Sequence, residues 1–170
     1  MALIGIICDS ENENYLKKTL EKNFKSNKKQ NTVIVINENS IENIQNVQFE
    51  TILISSNEEK VLLKKEILKK LISNVKYLII DADIKINLEI LSNMNLSVIT
   101  YGFNSKSTIT ASSVEDDILI CIQRKILNIC NNIVDEQEIK ISMREGKINV
   151  EMLMAVVAIM IVYNIEDIKT

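Results

Sequence analysis

Hydrophobic and polar positions divide this chain into two regimes. Up to about Gly102, continuous apolar runs alternate with helical stripes. "ALIGIICD" is an apolar run ending in turn chemistry, the pattern of a strand covered on both faces. Ser10-Glu11-Asn12-Glu13 has the form of a capping box, and Leu16, Leu20 and Phe24 set one apolar stripe on the helix it starts. "TVIVIN" and "ETILISS" predict the second and third strands. The segment Glu58 to Ser73 predicts a helix with Leu63, Ile67, Leu68, Leu71 and Ile72 on one face. "VKYLIID" predicts a fourth strand, Leu88 to Leu91 a short helix, and "LSVITYG" a fifth strand. This alternation implies a mainly parallel sheet with right-handed crossovers.

Beyond Gly102 the period changes to two. "STITASSV", "DILICIQ" and "EIKISM" alternate apolar and polar residues, with intervals too short for helices, and predict a small antiparallel section. An apolar helix from about Asn149 to Asn164 closes the pattern. The expected fold is one α/β domain over residues 1–170: a mainly parallel, Rossmann-like or P-loop-like sheet flanked by helices, with an antiparallel extension and an apolar C-terminal helix.

Composition narrows the chemistry. A net charge of −3 argues against nucleic acid as the partner, because phosphate neutralisation needs a concentrated basic surface. Lys17, Lys18, Lys22, Lys25, Lys28 and Lys29 cluster, but glutamates interrupt them, as on a solvated helix face. The absence of histidine excludes Ser-His-Asp and Cys-His catalysis and removes the commonest catalytic zinc ligand. Cys8, Cys121 and Cys130 lack CxxC spacing and read as buried thiols in a reducing, cytoplasmic setting. Cys8 ends a strand with no activating residue type nearby, so core packing is the expectation. No signal peptide opens the sequence, and the apolar run Met152 to Tyr163 is too short to span a bilayer.

"YGFNSKST" has the outline of a phosphate loop but no second glycine before Lys106. β-Branched Thr108, Ile109 and Thr110 continue it as a strand, so no helix dipole points at it. The turn after the first strand, Ile7-Cys8-Asp9-Ser10-Glu11, has neither glycine nor lysine. Glu11 and Glu13 already meet the positive end of the helix there, which disfavours polyphosphate.

From Leu78 onward the order of motifs resembles the central, ATP-binding domain of the Mur ligases, the amide ligases of peptidoglycan synthesis. "LIIDAD" is similar to that family's strand ending in Asn-x-Asp-Asp. "VITYGFNSKSTITASSV" is similar to its strand, Tyr/Phe-Gly turn and following strand, and "GKINVEMLMAVVAIMIVYNI" to the helix beginning G-x-H-N-x-x-N. Gly102 and Gly146 fall where the family keeps glycines, and Gly5 lies in the strand leading to its phosphate loop. The resemblance implies ATP and magnesium, with Asn149 beside the adenine. "CDSENEN" stands where the family's phosphate loop is expected, Ile148 where its His stands and Met152 where its second Asn stands. The family's magnesium-holding Glu and His are not recognisable, unless Glu58 or Glu59 takes that role. Its flanking substrate domains are not recognisable either, so ligation is not expected.

Candidate site residues gather at the expected strand ends. Asp81 and Asp83 terminate a parallel strand, where α/β folds place their ligand crevice, and are the candidates for a magnesium ion. Strand-end capping explains them equally well. Asn104 and Lys106 complete a candidate ligand site with Asn149, which also suits the N-cap of the last helix. Tyr101 and Phe103 read as packing residues at a sheet edge. The residues alone leave open what Gln123 and Arg124 do. Met152, Met154 and Met160 lie on a helix with almost no polar face, either buried or forming a homodimer or partner interface. The expected function is a cytosolic, non-catalytic Mur-ligase-like protein that binds a partner protein or small ligand and needs no cofactor. The alternative is an ATP- or magnesium-dependent enzyme or switch using a site at the strand ends.

Overall fold

The computed structural model describes residues 1–55, 64–84, 91, 97–115, 117–143 and 149–170. The elements run in order β1 (Leu3–Cys8), α1 (Ser10–Ser26), β2 (Thr32–Val35), β3 (Thr51–Ser55), α2 (Lys65–Ile72), β4 (Tyr77–Asp81) and β5 (Val98–Gly102). They continue with β6 (Ile109–Glu115), β7 (Ile118–Gln123), β8 (Ile126–Leu127), β9 (Ile133–Val134), β10 (Gln137–Ser142) and α3 (Val150–Val162). Eight strands form one sheet in the order β10-β7-β6-β5-β4-β3-β1-β2, and β8 with β9 makes a separate ribbon. From β2 to β6 the pairings are parallel, and β6-β7-β10 is antiparallel. The fold is α/β and Rossmann-like, as the alternation of runs predicts.

Strand periodicity assigns the two faces. Ile4 and Ile6 of β1, Leu53 of β3 and Ile79 of β4 point to one side, where Leu16, Leu20 and Phe24 of α1 and the whole of α3 cover them. Ile7, Ile52, Ile54, Leu78 and Ile80 point to the other, against Leu68, Leu71 and Ile72 of α2. Burial on both faces is why these strands are continuously apolar. Gly5 has no room for a side chain: a Cβ would stand 2.7 Å from the Ile36 Cδ1. α3 lies against β4, β5, β6 and α1, with Tyr163 edge-on to Phe24 at 5.3 Å and its hydroxyl 2.9 Å from the Thr51 Oγ1.

Several expectations are corrected. Met152, Met154 and Met160 are core residues, 3%, 0% and 0% exposed, because the sheet and α1 enclose their helix. They offer no interface. The cap of α1 is Asp9, one residue before the expected Ser10, and its side chain makes no capping hydrogen bond. Cys130 is exposed in the turn between β8 and β9, while Cys8 and Cys121 are buried. β6 belongs to both sections: it pairs parallel with β5 through Tyr101 with Ile109 and Gly102 with Thr110, then antiparallel with β7. Glu58, Glu59 and Leu63, Leu88 of the expected short helix, Gly146 and Ile148 lie outside the described residues.

Candidate functional site

The carboxyl ends of β1, β3, β4 and β5 bring Cys8, Ser55, Asp81 and Gly102 to one end of the sheet, as parallel register requires. At β1 the strand enters α1 through Asp9 alone. A phosphate-cradling loop needs several residues with free amides between strand and helix. Here one residue intervenes, and Glu11 and Glu13 occupy the first helical turn.

Asp81 is 2% exposed, and its Oδ1 accepts the Asp83 N–H at 2.9 Å. Burial raises its carboxyl from 3.8 to about 6; the Asp83 amide opposes this, and the Glu151 and Asp83 carboxylates reinforce it. Asp83 faces the following loop instead, where its carboxylate accepts the Phe103 and Asn104 N–H groups, the second at 3.1 Å. The two aspartates thus have different tasks. Among the described residues, no three or more carboxylates or thiols stand close enough together to hold a metal ion.

Residues 103–108, the phosphate-loop lookalike, close on themselves. Asn104 Oδ1 accepts the Lys106 N–H at 2.9 Å, and the Asn104 carbonyl accepts the Ser107 N–H at 2.9 Å. Thr100 and Thr108 exchange backbone-to-hydroxyl hydrogen bonds at 3.2 and 3.0 Å. Arg124 fastens the outer side, donating from Nη2 to the Ser105 carbonyl at 2.7 Å and from Nε to the Ser107 carbonyl at 3.3 Å. That settles the residue left open in the sequence: its guanidinium holds a loop. Lys106 is on the exposed part of this turn, and Phe103 is 53% exposed rather than packed.

Asn149 caps α3, its Oδ1 accepting the Glu151 N–H at 2.9 Å. The helix start delivers Glu151 close enough to Asp81 and Tyr101 to perturb both. Tyr101 is fully buried, and burial first, then the Asp81 carboxylate, holds its phenol well above the ordinary tyrosine range. Ser55 is near enough to favour the ionised phenol, yet its hydroxyl donates to Met152 Sδ at 3.8 Å. The Tyr101 hydroxyl has no hydrogen-bond partner among the described residues. Sequence reasoning missed Glu151 and the polar end of Tyr101. The signal for Glu151 was its place two residues after a capping asparagine; for Tyr101 there was none.

Asp81 gives the protein a pH-dependent stability. Its folded pKa lies above the unfolded one, so unfolding releases a proton between pH 3.8 and about 6. For this group stability is greatest below that window, falls as pH rises through it, and stays lower above it. Asp81→Asn keeps the acceptor for the Asp83 amide and removes the titration. The variant should be more stable than the parent above pH 6 by on the order of 1–2 kcal/mol, the lost carboxylate penalty less the cost of burying the new amide N–H2. Urea unfolding across that range checks it; parallel curves for the two proteins would refute the assignment.

No protein-family model matches the chain, and no curated protein does. Among solved structures, the apo form of D-lactate dehydrogenase from Escherichia coli is similar at 21% identity with a TM-score of 0.37. That match covers 58% of this chain and 30% of the dehydrogenase.

Proposed function

We propose that this domain is a non-catalytic relative of the Mur ligase central domain and acts in the cytosol by binding a partner protein or a small ligand. The observation that carries the reading is the single-residue passage from β1 through Asp9 into an α1 whose first turn holds Glu11 and Glu13. Catalysis on a nucleotide needs amides and a lysine around the phosphates at that place, and carboxylates there repel them. The loop chemistry agrees. Asp83, Asn104 and Arg124 are engaged in holding residues 103–108 together.

A second reading, an enzyme or switch dependent on ATP or magnesium, draws on the Asp81 carboxyl at about 6 beside the buried Tyr101 phenol, which has no hydrogen-bond partner among the described residues. Perturbed groups at strand ends are frequent in functional sites. One experiment separates the two. Thermal unfolding is followed with and without millimolar Mg-ATP, Mg-ADP and UDP-sugars, together with phosphate release from ATP. A nucleotide at a hundred times its Kd adds about 2.7 kcal/mol, a shift of several degrees. The binding reading expects no shift with either nucleotide and no phosphate release. A shift that Lys106→Ala abolishes would overturn it in favour of the switch.

A further inference from the structure

β10 ends the sheet on one side, and its outward backbone groups can be identified. The Met143 amide donates to the Asp117 carbonyl at 2.6 Å, continuing the β10–β7 ladder. Antiparallel ladders alternate, so 143, 141, 139 and 137 exchange hydrogen bonds with β7, and the amides and carbonyls of 138, 140 and 142 point away from it. The Ser142 carbonyl accordingly accepts the Thr170 hydroxyl at 3.0 Å on that outer side. Among the described residues, none pairs with the outward main-chain groups of Glu138 and Lys140, and the side chains of both are exposed.

We propose that two copies of this chain pair through their β10 edges, antiparallel about a two-fold axis at Ile139, making one continuous sheet. Charge selects both the occupant and the register. With the axis at Ile139, each Glu138 lies directly opposite Lys140 of the second copy, as a hydrogen-bonded pair, and this happens twice. An axis at Glu138 would oppose two glutamates, and one at Lys140 two lysines; like charges directly opposite destabilise a ladder. The Glu-Ile-Lys order is complementary to its own two-fold image. Charged side chains commonly blunt edge strands, but here the two charges are of opposite sign and attract across this one two-fold register.

Apolar surface supports the same axis. Ile139 is half-buried on the core side of β10 and becomes a non-hydrogen-bonded pair with its own copy, the closer of the two pair types. Beside it runs a groove of about 260 Å³ between β10 and the segment following α3, lined by Ile139, Ile161, Ile165 and Ile168 among others. The pairing does not depend on whether the strand ends hold a ligand.

Sedimentation equilibrium of the full chain at about 50 mM salt, where surface charges are lightly screened, tests this. The parent should have twice its 19.4 kDa mass. Lys140→Glu and Glu138→Lys each place like charges opposite one another and should weaken association by about tenfold or more. The double variant Glu138→Lys/Lys140→Glu recreates the complementary pairs and should dimerise again. All three variants change exposed residues, so their unfolding midpoints should stay near the parent's. A parent that remains monomeric at tens of micromolar would overturn the proposal. So would a dimer indifferent to the single reversals, or one that the double variant fails to restore.

Discussion

Gly102→Ala should cost the domain about 2–4 kcal/mol, enough to lower Tm by roughly 5–15 °C in a domain of this size. Gly102 has φ +145°, a conformation L side chains rarely adopt, and a Cβ there would overlap the Asp83 carboxylate. Two costs combine. The backbone strain contributes about 1–3 kcal/mol. Displacing Asp83 also strips the Phe103 and Asn104 amides of their acceptor, just where β5 hands over to β6. A double-mutant cycle measured by denaturant unfolding separates the terms. Asp83→Ala alone loses the two amide bonds, and Gly102→Ala on that background meets no carboxylate. The double variant should therefore lose less than the sum of the single losses. Strict additivity would mean that the close approach of Gly102 to Asp83 is not what fixes the glycine.

The same pair shows where sequence reading stops. Continuous apolar runs expose β1, β3 and β4 directly, because burial on both faces confines polar residues such as Thr51, Ser55 and Asp81 to the strand ends. Leu16, Leu20 and Phe24 expose the covered side of α1 for the same reason. The strand ends are a different matter. Asp83 holds amides twenty and twenty-one residues away, and Arg124 holds carbonyls seventeen and nineteen residues away. Those contacts exist only once β4, β5, β6 and β7 have paired, so Asp81 and Asp83 look like equivalent strand-end carboxylates in one dimension. Asp9 and Ser10 are both good cap residues in adjacent positions, and sequence does not choose between them. The β8–β9 ribbon has two residues per strand, too few to show a period.

Met160→Glu should prevent the domain from folding at neutral pH, an effect as large as its whole stability. α3 is apolar around its full circumference, which by itself fits either a buried helix or a surface awaiting a partner. The decision comes from its neighbours: β4, β5 and β6 lie on one side and α1 on another, and the residues from Met152 to Val162 are all buried. A carboxylate forced into that place costs several kcal/mol, since no Lys or Arg is buried among the described residues to meet it, against the 5–15 kcal/mol that holds a typical domain together. Met160→Leu, which nearly conserves volume, should cost less than about 1.5 kcal/mol and fold normally. Circular dichroism and solubility of the two variants give the answer. If Met160→Glu were a soluble protein with the parent's Tm and an altered mass, α3 would be an interface after all. The placement of charge predicts the opposite division of labour: a substitution in α3 destroys the fold, whereas a reversal at Lys140 leaves the fold intact and removes the second copy.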